Sequence, residues 1–141
     1  MFATNGILQY GPGMRAVVWA DQGVADLYRA LIPKYYYADK QMYPAHITVV
    51  RLRLETAKNL DVWNKYQGEL VPFQYDNEIR FDGTYFYLNV QSDRIGDIRE
   101  ELGLPRFRFG DLGADRRCYH ITIGNCKNAY RKSSEVGSKS D

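Results

Sequence analysis

Two short stretches, Ala45-His46-Ile47-Thr48-Val49-Val50 and Tyr119-His120-Ile121-Thr122-Ile123-Gly124, constrain the fold more than anything else in the chain. Each holds one of the only two histidines, and each histidine opens a His-Ile-Thr tripeptide within an apolar run of strand-forming residues. Side chains on a β-strand alternate between faces, so His46 and Thr48 point one way while Ala45, Ile47 and Val49 point the other. The same alternation separates His120 and Thr122 from Tyr119, Ile121 and Ile123. Each strand therefore offers a polar pair to one face and an apolar stripe to a core. Laid side by side, the two strands would bring two imidazoles and two hydroxyls to one cleft.

The remaining segments read as a framework for these strands. Residues 1 to 14 carry Gly6, Gly11, Pro12 and Gly13, a turn-rich opening in which Ile7 to Tyr10 reads as a short strand. Arg15 to Ala20 is a strand ended by Asp21-Gln22-Gly23, after which Val24, Leu27, Tyr28 and Leu31 recur at helical spacing until Pro33. Tyr35-Tyr36-Tyr37 and Lys40 to Pro44 make a polar, aromatic loop into the first histidine strand, which is expected to run to about Leu54. Thr56 fits an N-cap for a helix to Gln67, with Leu60, Trp63 and Tyr66 along one side and Gly68 closing it. Phe73 to Phe81 and Thr84 to Val90 alternate around Asp82-Gly83 as a hairpin. Ser92 caps a helix in which Ile95, Ile98 and Leu102 share a face, and Gly103 with Pro105 ends it. Arg106 to Arg117 is a basic, glycine-punctuated loop delivered straight into the second histidine strand. Beyond Asn128 the composition turns to Lys, Ser, Gly and Glu, so 129–141 is expected to be a disordered tail.

Each half ends in a His-Ile-Thr strand preceded by a helix, so the two motifs occupy equivalent places in a duplicated βαβ-type lobe. The expected fold is α+β, one domain over 1–128, with two small sheets or one bent sheet, helices outside and a cleft between. A chain of 141 residues can bury roughly two-thirds of its unfolded surface in one core, with no need of a disulfide or metal staple. Cys118 and Cys126 flank one strand, too far apart to bridge each other, and read as thiols in a reducing compartment. There is no signal-peptide pattern and no long apolar span, which points to a soluble intracellular protein without membrane contact. The net charge of +2 gives too weak a field for a duplex-DNA binder, so an anionic ligand would be small or locally gripped.

Two histidines in identical contexts suggest chemistry. A zinc site usually takes three or four protein ligands, and no carboxylate or cysteine keeps ligand spacing with both; Cys118 shares a face with His120, but nothing matches it near His46. A serine or cysteine triad uses one histidine and a third orienting residue, which leaves the repeated threonine unexplained. Paired imidazoles suit phosphodiester cleavage without a cofactor: one, neutral, removes a proton from the attacking hydroxyl, and the other, protonated, supplies one to the departing oxygen. The threonine hydroxyls two residues on can donate to the non-bridging phosphate oxygens, where charge accumulates. The chain also has 12 tyrosines, and tyrosine can stack on nucleobases as well as fill a core. Tyr10, Tyr43 and Tyr75 are the candidates for stacking, and Arg15, Arg51, Arg116 and Arg117 for phosphate contacts. The Arg106 to Arg117 loop can fold over a bound ligand in a cleft enzyme.

Two His-x-Thr motifs, each on a strand of a duplicated α+β lobe, resemble the 2H phosphoesterase superfamily, which includes LigT-like RNA end-processing enzymes and cyclic phosphodiesterases. The likeness spans roughly residues 14 to 128 and implies a two-lobed fold with antiparallel sheets around a central cleft. It implies that His46 and His120 are acid and base, without saying which is which, and that Thr48 and Thr122 hold the phosphate. The short chain and the His-Ile-Thr-Ile-Gly-Asn ending are similar to small phage members that destroy the cyclic oligonucleotide messengers of bacterial CBASS immunity. On that likeness the substrate would be a cyclic di- or trinucleotide such as cyclic GMP-AMP, cleaved in the host cytoplasm without an obligatory protein partner. Two other readings stand beside it: action on RNA 2′,3′-cyclic phosphate ends or 2′-5′ linkages, and a non-catalytic module that sequesters a nucleotide or short RNA.

Overall fold

The computed structural model describes residues 1–107 and 118–129. Among them run β1 (Phe2–Tyr10), β2 (Ala16–Trp19), α1 (Gln22–Ala30), β3 (His46–Val50), β4 (Leu70–Tyr75), β5 (Arg80–Phe81), β6 (Tyr85–Gln91), α2 (Asp93–Glu101) and β7 (Tyr119–Asn125). The strands form a single antiparallel sheet in the order β4-β1-β2-β3-β7-β6-β5, and β4 pairs with β6 as well. That second pairing closes six strands into a barrel, and among the described residues β5 pairs with β6 alone. The α+β class agrees with the sequence, while the closure depends on a strand that the sequence understates.

That strand is β1, nine residues long rather than the four from Ile7 to Tyr10. Its first half, Phe2 to Ile7, pairs residue by residue with β4, and its second half pairs with β2. Gly6 looks like turn chemistry in the sequence but serves a close approach. A Cβ there would stand 2.4 Å from Val18 Cγ1 and 2.6 Å from the Trp19 carbonyl oxygen, so only glycine lets the two strands lie at this distance. Gly6→Ala is expected to destabilise the fold by about 1–3 kcal/mol, the usual cost of overpacking, read as a lower urea midpoint.

The core lies on the face of the sheet that carries the helices. Leu8, Val18, Ile47, Val49, Leu88, Val90, Ile121 and Ile123 form one buried cluster with Ala25 of α1 and Ile95 and Ile98 of α2. The Ser92 hydroxyl accepts from the Ile95 N–H as the expected N-cap, and Gly103, with φ of 82°, follows the helix end. Helix α1 turns differently from its apparent stripe: Leu27 and Leu31 are exposed, while Ala25 is buried with Val24 and Tyr28 packed beside it. Asp21, read as part of a strand end, accepts from the Gly23 N–H and caps this helix.

Three other expectations are corrected. The helix from Thr56 to Gln67 is absent; only a 3₁₀ turn over Leu60–Val62 forms there. The Lys58 and Asn59 N–H groups donate to the Leu102 carbonyl at the end of α2, and Asn64 has φ of 71°, which stops helical propagation. Strand β3 ends at Val50 instead of Leu54 because the chain turns at once: the Leu54 and Glu55 N–H groups both donate to the Arg51 carbonyl, and Arg53 has φ of 68°. The hairpin forms, but its first arm is broken over 76–79 into the end of β4 and the two-residue β5, and it turns one residue later, about Gly83-Thr84. The Asp82 N–H donates to the Tyr85 carbonyl, and the Asp82 carboxylate accepts from the Thr84 and Tyr85 N–H groups.

Candidate active site

Strands β3 and β7 are neighbours, and the register pairs Ile47 with Ile121. In an antiparallel pair this sets His46 opposite Thr122 and Thr48 opposite His120. Directly opposed side chains have Cβ atoms about 4.5–5.5 Å apart, and diagonal ones are about 7–8 Å apart. The two imidazoles therefore stand on one diagonal of a small square and the two hydroxyls on the other. The alternation matches: Ile47, Val49, Ile121 and Ile123 are buried, while His46, Thr48, His120 and Thr122 are half-buried.

The flanking strands extend the square into two rows. Trp19 pairs with His46 and Val17 with Thr48 on one side; Tyr87 pairs with Thr122 and Asn89 with His120 on the other. Each imidazole meets the edge or face of a large ring: Trp19 and His46 have centroids 5.6 Å apart at 69°, and Tyr87 and His120 are 5.7 Å apart at 65°. Trp19 is itself held, its Nε1–H donating to Gln9 Oε1 at 2.7 Å. These rings fix the histidine rotamers by packing. Trp19, Tyr87 and Asn89 carry no local mark of a site in the sequence; the signal for them is strand parity, which appears only once the partner strands are known.

The square forms part of a cavity of about 1190 Å³ lined by all four motif residues. One end is walled by the loop carrying Asp39 to Tyr43, and the other flank by Asp82, Tyr85 and Tyr87. A register shift in the pairing with β6, between Phe86 and Tyr87, places Tyr87 against Thr122 but Tyr85 against Asn125. This bulge changes the parity of β7, so Asn125, three residues after Thr122, joins the cavity lining. The Asn125 amide donates to Gln41 Oε1 at 2.6 Å, and its backbone exchanges hydrogen bonds with Asp39. The aromatic loop is thereby tied to the end of the second histidine strand.

The local charge favours an anion. Lys40, Arg51 and Lys127 line the cavity with Asp39 and Asp82, and the Asp82 carboxylate already accepts two backbone N–H groups. Arg15 lies beside the lining residue Tyr43, its guanidinium 5.6 Å from the centroid of that ring. His46 Nδ1 lies 2.8 Å from the Pro44 carbonyl oxygen, which can only accept, so Nδ1 carries the hydrogen and the neutral ring keeps its lone pair on Nε2. Burial pushes the His46 pKa below the ordinary histidine value; the Pro44 hydrogen bond opposes this, and the Arg15 charge adds to it. His46 is therefore a neutral imidazole at pH 7, with a basic nitrogen to spare.

The other expected contacts sort by position. Tyr43 lines the cavity. Tyr10 does not: it is buried on the helix-bearing face, its ring 5.0 Å from that of Trp63. Tyr75 is likewise on that face, against Phe2 and Tyr28. Tyr10 shares strand parity with Leu8, and Tyr75 shares it with Phe73, so both belong with the core side chains. Arg116 and Arg117 lie outside the described residues, as do most of the loop expected to fold over a ligand and all but the first residue of the expected tail. Among the described residues no three His, Cys, Asp or Glu side chains gather as a metal site, and no helix is long and apolar enough to cross a membrane. Cys118 and Cys126 are both thiols. Comparison with family models, curated proteins and solved structures returns no match to this chain.

Proposed function

We propose that the chain is a 2H-type phosphodiesterase that cleaves cyclic oligonucleotides without a metal ion. The observation that carries this reading is the cross-strand square, in which two imidazoles and two hydroxyls from distant parts of the chain face one cavity. The order of elements supports it. The run β1-β2-α1-β3 is matched by β4-β6-α2-β7, with β3 against β7 and β1 against β4, an arrangement that suits two duplicated lobes joined through their histidine strands.

In the proposed reaction His46 Nε2 takes the proton of a ribose 2′-hydroxyl, and the O2′ atom attacks the adjacent phosphorus. The P–O5′ bond breaks, and protonated His120 gives its proton to O5′. Thr48 and Thr122 donate to the non-bridging oxygens. The product is a linear nucleotide ending in a 2′,3′-cyclic phosphate, with His46 now charged and His120 neutral. Water can then open the cyclic phosphate with the two roles exchanged. The cavity exceeds the roughly 300–1,000 Å³ of sites for drug-sized molecules, which favours a ligand of two or three nucleotides over a lone mononucleotide. A cyclic immune messenger of the CBASS kind is such a ligand.

The test is chromatography of 3′,3′-cyclic GMP-AMP and cyclic trinucleotides after incubation with the protein in EDTA. Linear products are expected, and analogues lacking the attacking 2′-hydroxyl should stay whole. Ribonucleotide rings left intact would remove the substrate class, and turnover of cyclic-phosphate RNA ends alone would reassign it. The pH profile supplies a separate prediction. Because His46 acts as a neutral base and its pKa is lowered, the acidic limb of kcat/KM should fall below pH 6.5. Arg15→Met should move that limb upward by a fraction of a pH unit, since a cation that disfavours imidazolium is gone.

A further inference from the structure

Beyond the histidine square, the cavity carries a second pairing that the catalytic reading leaves unused. On the β2 flank, Arg15 sits over the Tyr43 ring at 5.6 Å; on the β6 flank, Lys127 sits over the Tyr85 ring at 4.9 Å. Both tyrosines and Lys127 line the cavity, and Tyr43 is 56% exposed, too open for a core aromatic. The strand order β2-β3-β7-β6 puts the histidine square between them.

We propose that Tyr43 with Arg15 and Tyr85 with Lys127 are two base-stacking positions, one on each flank of the scissile phosphate. Each offers a π-face backed by a cation, a combination that holds bases with little regard to their identity. The ligand class this selects has a nucleobase on both sides of the phosphate that reacts, as in a cyclic dinucleotide. A nucleoside 2′,3′-cyclic phosphate has a base on one side only. The inference rests on the proposed active site for its location, but binding can be read without turnover.

The experiment is calorimetric titration of the His120→Ala protein with 3′,3′-cyclic GMP-AMP and with adenosine 2′,3′-cyclic monophosphate. In that background Tyr43→Ala and Tyr85→Ala should each weaken dinucleotide binding about tenfold or more, the scale of one base–aromatic stack. Tyr43→Phe and Tyr85→Phe should keep it. The mononucleotide should bind more weakly and respond to only one of the two alanine changes. Dinucleotide binding that ignores both tyrosines, or no binding at all, overturns the paired positions. Tyrosine-dependent binding without turnover by the wild-type protein would uphold them and sink the phosphodiesterase reading instead.

Discussion

His46→Ala and His120→Ala are each expected to lower kcat for cyclic-dinucleotide cleavage by about 10²-fold or more, the scale of general acid–base assistance. The double variant should fall well short of the product of the two losses, because the residues act on one concerted transfer. What separates the two is the leaving group. On a uridine 3′-phosphodiester whose leaving group is nitrophenolate, departure needs no proton. His120→Ala should then recover most of its deficit, while His46→Ala should stay impaired. The assignment follows from the Pro44 carbonyl, which fixes the hydrogen on His46 Nδ1, and from the burial that keeps the ring neutral. Recovery in the His46 variant instead would reverse the roles while leaving the chemistry in place. Equal loss on both substrates would remove the acid–base mechanism. Thr48→Val and Thr122→Val should lower kcat by about 10²-fold, with serine at either position retaining most of the rate, since the hydroxyl donor is what the phosphate oxygens need.

The parts of this site that could be read from sequence are those governed by local alternation. His46-Ile47-Thr48 and His120-Ile121-Thr122 show which side chains share a face whatever the strands pair with, and the same logic made Ser92 a cap and Gly103 a stop. Pairing decides the rest. Gly6 reads as a turn until β4 and β2 are known to flank it, so the strand that closes the barrel was reduced to its last four residues. Apolar spacing from Leu60 to Tyr66 resembled a helix, yet Lys58 and Asn59 just before it donate their N–H groups to the Leu102 carbonyl at the end of α2, a bond between segments more than forty positions apart. Tyr10 and Tyr75 show the same limit from the other side. Tyrosine chemistry suits a base, but which face a tyrosine occupies is set by the parity of its own strand, and both share theirs with core residues. The bulge that carries Asn125 into the cavity leaves no local mark at all.

Arg99→Ala is expected to cost about 3–5 kcal/mol of stability, the range for breaking a buried ion pair from one side. The Arg99 side chain is wholly buried, and Nη2 donates to Glu55 Oε2 at 2.7 Å while Nη1 donates to Oε1 at 3.0 Å. The same guanidinium donates to the carbonyls of Val49 at 2.6 Å and Pro105 at 2.9 Å, and Glu55 Oε1 accepts the Arg51 N–H at 3.2 Å. One side chain of α2 thus holds the end of β3, the loop after it and the segment following α2. Removing it takes two charge-assisted hydrogen bonds from the Glu55 carboxylate and one donor from each of two carbonyls. Glu55→Ala should be at least as harmful, because it leaves a fully buried cation without its counter-charge. The pair exchanges attraction for desolvation, so the double change to Glu55→Leu with Arg99→Met should recover much of the loss on denaturant titration. Activity should not follow stability in that double variant. Arg51 lines the cavity, and its backbone is positioned by Glu55, so a protein refilled with apolar side chains should fold yet show a raised KM. Full activity in the stabilised double variant would mean that the ion pair serves the fold alone.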